Sequence, residues 1–256
     1  MKTDKSLGQH WLTNIPSLEA MCEAGEVSAG DEVLEIGPGL GSLTELLLKR
    51  GANVTAVEFD NRLVENLTKI FDSKRFKLIQ GDILNFDLGT MSPGYKVVAN
   101  IPYYLTSKLL RNLLESVNKP ALIALLIQKE VAERLIADPG QMSILSISAQ
   151  FYAQLSAREI VPAKYFVPPP KVDSQIIQLI PRSLPLLNVD EPKFFRMVRA
   201  GFSEKRKKLI NSLAGGLEID KEEAKRVVTK CGMSDNIRAQ ELSLQQWDKL
   251  YDELYN

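Results

Sequence analysis

From about Asp31 to Ile127, short apolar runs rich in β-branched residues alternate with stretches whose apolar residues recur every three or four positions. That alternation restricts the fold more than any other feature, because strands joined by helical crossovers lie parallel and are covered on both faces. Strands are expected at Glu32 to Ile36, Asn53 to Val57, Phe76 to Gln80, Lys96 to Ala99 and Ala121 to Ile127. Helices are expected at Leu43 to Arg50, stopped by Gly51, and at Arg62 to Phe71. After a further helix at Ser143 to Ala153, the runs Leu155 to Val161 and Gln175 to Ile180 flank a proline-rich loop and read as a hairpin, so the sheet should close with an antiparallel strand. Beyond Pro181 the strand signal stops, and helices should begin near Asp190, Ser203, Asp220 and Ser243, with Glu223 and Gln246 as third-position partners of the last two. The fold class is therefore α/β, a Rossmann-like, mostly parallel sheet with an antiparallel last strand. A small all-α domain follows, with residues 1–181 in the first domain and 182–256 in the second.

Composition sets outer limits. The longest apolar run, Pro120 to Ile127, falls far short of the roughly 20 residues a membrane helix needs. Met1 to Gln9 has no secretory apolar core, so a cytoplasmic protein is expected. Cys22 and Cys231 form no metal-binding or redox spacing, and no metal is expected. Formal net charge is zero, yet Lys193 to Lys208 holds seven basic residues against the single acid Glu204. A polyanion contact would be local to that segment.

A strand ending at Ile36 runs into Gly37, Gly39 and Gly41, a turn that brings bare backbone against a ligand. The spacing is G-x-G-x-G. A dinucleotide fingerprint would place its third glycine at Ser42, which disfavours a dehydrogenase. Glu58 ends the next strand, where a carboxylate can accept both hydroxyls of a ribose, and Asp82 ends the third, where it can take an adenine amine while Ile83 covers the ring. This looks like the class I S-adenosylmethionine methyltransferase layout, with Glu35 near the methionine end of the ligand.

The fourth strand ends in Asn100-Ile101-Pro102-Tyr103. An adenine amine is a poor nucleophile because its lone pair is delocalised into the ring, so its methylation needs acceptors that favour a pyramidal nitrogen as positive charge develops. Asn100 can supply one and the Ile101 carbonyl, next to Pro102, a second, while Tyr103 can stack on the base. Phe166, at the head of the proline-rich loop, is expected to form the opposite wall of a pocket for an extruded base. The amino-terminal run Lys5 to Leu12 could fold over the cofactor as a lid. Its His10, the only histidine, is expected to make a positional or backbone contact rather than act as a base.

Taken together, Gly8 to Leu12, Glu35 to Gly41, Glu58, Asp82, Asn100 to Tyr103, Phe166 to Ser174 and Phe202 to Leu213 resemble the small-subunit ribosomal RNA adenine dimethyltransferase family over nearly the whole chain. His10-Trp11 stands where Asn-Phe is more usual. The resemblance implies two methyl transfers from S-adenosylmethionine, leaving S-adenosylhomocysteine, to each of two adjacent adenosines near the RNA's 3′ end. It implies a pre-formed small ribosomal subunit as substrate and cofactor contacts at His10, Leu12, Gly37, Glu58, Asp82 and Asn100; a monomer with a role in subunit maturation is expected. Arg196, Arg199, Lys205, Arg206, Lys207 and Lys208 would bind RNA phosphates, whereas Phe202, Leu209 and Leu213 recur at helical spacing and read as core. Two alternatives stay open at this point: an adenine methyltransferase acting on large-subunit RNA, and a non-enzymatic nucleic-acid-binding factor on the same fold.

Overall fold

The structure is a computed structural model that describes residues 9–204 and 206–256. The chain divides into two compact units. The first takes the residues up to Glu133 with Ala153–Arg182, and the second takes Arg134–Tyr152 with Ser183–Asn256. The segment 134–152 thus groups with the carboxy-terminal helices, where a single cut after residue 181 would have put it in the first domain.

The first unit opens with a two-residue strand, β1 (Trp11–Leu12), and helix α1 (Ile15–Ala24), whose N-cap Asn14 accepts from the Ser17 amide. Crossovers follow through β2 (Glu32–Ile36), α2 (Ser42–Lys49), β3 (Asn53–Glu58), α3 (Asn61–Ile70), β4 (Phe76–Gln80), β5 (Lys96–Asn100), α4 (Thr106–Glu115) and β6 (Leu122–Gln128). Helix α5 (Lys129–Leu135) leads out of the first unit and α6 (Ile144–Tyr152) leads back to it. Strands β7 (Ala153–Val161), β8 (Phe166–Val167) and β9 (Ser174–Pro181) complete the first unit.

Seven strands form one sheet in the order β4-β3-β2-β5-β6-β9-β7. All pairs through β6 are parallel, and β9 runs antiparallel to both β6 and β7. Ile123 to Ile127 in β6 are fully buried, the signature of a strand covered on both faces. The strand order reverses between β2 and β5, so a crevice opens at their carboxyl ends, where such sheets bind ligands. A separate antiparallel pair joins β1 to β8, with Trp11 opposite Val167 and Leu12 opposite Phe166.

The second unit is helical, with α7 (Glu191–Gly201), α8 (Leu209–Leu217), α9 (Lys221–Lys230) and α10 (Leu244–Tyr255). Its core is aromatic: Phe151 stacks on Phe194 at 5.2 Å, and Phe202 on Trp247 at 5.9 Å. Leu209 and Leu213 are fully buried, as their spacing predicts. Asp190 and Ser243 cap α7 and α10 with their side chains, and Gln246 completes a capping box with Ser243. Two expectations need correction. No helix begins at Ser203; α8 starts at Leu209, whose amide is taken by the Ile237 carbonyl at 2.8 Å. Asp220 holds the N-cap position of α9, but its exposed carboxylate makes no capping bond and Glu223 does not answer it.

Candidate active site

At the carboxyl ends of β2, β3, β4 and β5 lies a cavity of about 290 Å³, and every cofactor contact expected from the sequence lines it: His10, Leu12, Glu35, Gly37, Gly39, Glu58, Asp82, Ile83 and Asn100. The glycine turn after β2 holds Gly37 and Gly41 at φ +64° and +86°, a region that favours glycine. A Cβ on Gly41 would stand 2.5 Å from the Phe71 ring, so this glycine also admits close packing. Added at Gly37 or at Gly81, a Cβ would meet nothing within 4 Å among the described residues, so the main chain at both positions faces the cavity unobstructed by them. Such bare backbone beside acids suits a nucleoside ligand.

The acids are held in place by the main chain. Glu58 Oε1 accepts from the Asp60 amide at 2.9 Å and Oε2 from the Gly39 amide at 3.3 Å, and the Phe59 amide also bonds the carboxylate, so main chain fixes both oxygens at the cavity. Burial pushes the Glu58 carboxyl up and the backbone amides pull against it. Asp82 uses Oδ1 to cap the turn Ile83–Asn85 through the Leu84 amide at 2.9 Å. Glu35 is almost fully buried and accepts from the Thr44 hydroxyl at 2.6 Å; burial raises its pKa to about 8, against that hydrogen bond. A cationic group arriving beside it would restore the carboxylate.

The acceptor residues follow β5. The Asn100 Nδ2 donates to the His10 carbonyl at 3.2 Å, and because a carbonyl only accepts, this contact fixes the amide with Oδ1 as its remaining acceptor. The Ile101 carbonyl takes no hydrogen bond among the described residues. His10 itself is tied down, Nδ1–H donating to the Pro168 carbonyl at 2.8 Å, and its ring stacks on Tyr103 with centroids 6.1 Å apart. The Tyr103 hydroxyl shares a 2.8 Å hydrogen bond with the buried Ser174 hydroxyl. Gln9 reaches across to Asp60, Nε2 to Oδ2 at 3.0 Å, so the run from Gln9 to Leu12 covers one side of the cavity. The rest of the expected lid, Lys5 to Gly8, lies outside the described residues.

Phe166 departs from expectation. Its side chain is 2% exposed, belongs to the hydrophobic core and lines no part of the cavity. Pairing of β8 with β1 turns it inward opposite Leu12, so it supports the His10 segment instead of forming the far wall.

The family model described as ribosomal RNA adenine dimethylase matches residues 1–256, the whole chain. The chain belongs to the ribosomal RNA adenine dimethylase family. It is 43% identical to the ribosomal RNA small subunit methyltransferase A of Dehalococcoides mccartyi strain CBDB1, covering 98% of this chain and 88% of that relative. Among solved structures it is similar to a dimethyladenosine transferase from Plasmodium falciparum, with TM-score 0.80 and 26% identity over 96% of this chain and 97% of that one. It is also similar to the 23S rRNA methyltransferase ErmE, with TM-score 0.78 and 25% identity over 96% of this chain and all of that one.

In this member of the dimethylase family, the basic side chains Arg196 and Arg199 on α7 and Arg206, Lys207 and Lys208 before α8 are all exposed. Lys207 pairs with Glu204, and Lys205 lies outside the described residues. Among the cavity residues to which the sequence assigns no role are Phe59, Tyr104 and Lys108. Phe59 directly follows Glu58 and is 62% exposed, so that adjacency was the available signal. Tyr104, in the turn Tyr103–Leu105, and Lys108, in the first turn of α4, come directly after Asn100 to Tyr103, and that adjacency was their signal.

Proposed function

We propose that this S-adenosylmethionine-dependent rRNA adenine dimethyltransferase acts on the exocyclic amines of two adjacent adenosines near the 3′ end of small-subunit rRNA. Its substrate is a pre-formed small ribosomal subunit in the cytoplasm, and it works as a monomer that contributes to subunit maturation. The observation that carries the reading is one cavity lined both by the acids Glu58 and Asp82 and by Asn100 to Tyr103, with the Asn100 acceptor turned by His10. The donor would supply a methyl group already activated as a sulfonium: the amine nitrogen bonds the methyl as the carbon–sulfur bond breaks, S-adenosylhomocysteine leaves, and the proton of the methylated amine passes to solvent, so no strong base is needed. Glu58 takes the ribose hydroxyls, Asp82 the adenine amine, Ile83 the ring face, and Glu35 lies toward the methionine end. Asn100 Oδ1 and the Ile101 carbonyl accept from the substrate amine and favour its pyramidal form, while Tyr103 holds the base by stacking. The first unit is the catalytic domain. Arg196, Arg199 and Lys205 to Lys208 of the helical unit hold RNA phosphates.

The 43% identity to a small-subunit enzyme favours that substrate over the large subunit. Undermethylated small and large subunits, each incubated with the protein and labelled donor, test the choice. Dimethyladenosine in the small-subunit RNA, seen by mass analysis, is expected, and label confined to large-subunit RNA would reverse it.

A further inference from the structure

Two side chains at the cavity have no part in the chemistry above. Tyr104 is 63% exposed although it lines the cavity, and Lys108 lines the same cavity and is exposed. Neither has a hydrogen-bond, ion-pair or ring partner among the described residues. Its neighbour Tyr103 is different, held by Ser174 through its hydroxyl and by His10 through its ring. The turn between them is fixed, with the Leu105 amide bonded to the Pro102 carbonyl and the Thr106 hydroxyl to the Tyr103 carbonyl. Tyr104 lies in the single turn Tyr103–Leu105 that runs directly into α4, and Lys108 lies in the first turn of α4, so one continuous stretch of chain brings both side chains to the same cavity. From Ile101 to Leu114 the chain contains Lys108 and Arg111 and no acid.

An exposed, unpartnered ring beside an unpaired ammonium offers what a nucleotide needs, a face for the base and a charge for the phosphate. We propose that Tyr104 and Lys108 form a subsite for the nucleotide next to the acceptor adenosine, Tyr104 stacking on its base and Lys108 meeting its phosphate. The subsite rests on the RNA-acceptor reading above and deepens it. With two neighbouring acceptor bases, one lies against Tyr103 while the other waits on Tyr104, and the strand moves by one nucleotide between rounds.

The test uses the full-length protein and whichever subunit RNA the wild type labels, and compares Tyr104→Ala, Tyr104→Phe and Lys108→Ala. Tyr104→Ala should raise the KM for RNA about tenfold, the scale of a lost base–aromatic stack, while S-adenosylhomocysteine affinity stays within about twofold. Mass analysis should show fewer methyl groups per RNA at equal conversion of the first adenosine. Tyr104→Phe should restore wild-type behaviour, since stacking uses the ring and not the hydroxyl. Lys108→Ala should flatten the salt dependence by roughly one counterion. Unchanged KM and methyl count in Tyr104→Ala would overturn the subsite alone, as would a matching fall in S-adenosylhomocysteine affinity, which would make Tyr104 a cofactor-side residue. A wild-type protein that labels adenine in neither RNA would overturn the acceptor reading and the subsite together.

Discussion

The Asn100 side-chain amide is bonded at 3.2 Å to the His10 carbonyl, a main-chain atom 90 residues earlier in the chain. Replacing the imidazole would remove the tie to Pro168 but not the accepting main-chain carbonyl, whereas replacing Asn100 removes the amide itself. Asn100→Ala is expected to lower the rate of transfer by about a hundredfold to a thousandfold, with RNA binding nearly intact. Single-turnover label incorporation alongside RNA titration measures both, and undiminished incorporation would remove Asn100 from the chemistry.

The Tyr103 hydroxyl and Ser174 hold each other, so their loss should not add. Tyr103→Phe and Ser174→Ala are each expected to cost about 1 kcal/mol of stability or less, and the double variant little more than one single. Denaturant melts of the four proteins close the cycle. Strict additivity would mean the hydroxyls act independently.

Glu35 gives the ligand-free protein a pH signature. Its folded pKa, raised by burial to about 8, lies above the ordinary 4.5, so between those values the folded state binds the proton and the unfolded state does not. The native state thus holds more protons than the unfolded one across that window, and stability falls as pH rises through it, levelling above about 8. Glu35→Gln should flatten the curve and gain most over wild type at the alkaline end. Thermal melts from pH 5 to about 9 would show this, and parallel curves for the two proteins would refute it.

Gly41→Ala should destabilise by about 2 kcal/mol or more, since the new Cβ meets the Phe71 ring and the backbone sits in the left-handed region. That corresponds to a Tm lower by roughly 4–8 °C. An unchanged Tm would show that Phe71 moves aside freely.

Neutralising Arg206, Lys207 and Lys208 together should reduce the slope of log affinity against log salt by about two to three, with S-adenosylhomocysteine binding unaffected. Lys207 contributes less if Glu204 keeps it. An unchanged slope would move the RNA contact elsewhere.

What could be read in advance follows from what each residue pattern encodes. The spans Glu32–Ile36 and Phe76–Gln80 emerge from sequence with their observed bounds because each is a short run carrying β-branched or aromatic residues that stops at a glycine, Gly37 or Gly81, and that stop places the next polar residue at the crevice. Asp82 and Asn100 were found by that logic. Helix α1 escaped notice because apolar and small residues, Ala20, Met21, Cys22 and Ala24 among them, are buried with little periodic contrast, and Pro16 disguises its first turn. The two-residue strands β1 and β8 are too short to carry any period. Their pairing is a long-range event, and Phe166 was misplaced because nothing near it in sequence reveals Leu12 as its partner.

The pairing of β1 with β8 also sets a timetable. His10 is anchored by Pro168 across 158 residues, and Asn100 takes its orientation from His10. During synthesis the crevice between β2 and β5 can form while the Asn100 amide, proposed to meet the substrate, still lacks its oriented partner, until the hairpin loop has left the ribosome and closed on the amino-terminal segment. On the proposed role of Asn100, competence would thus arrive with the last strands of the sheet and not with the crevice itself.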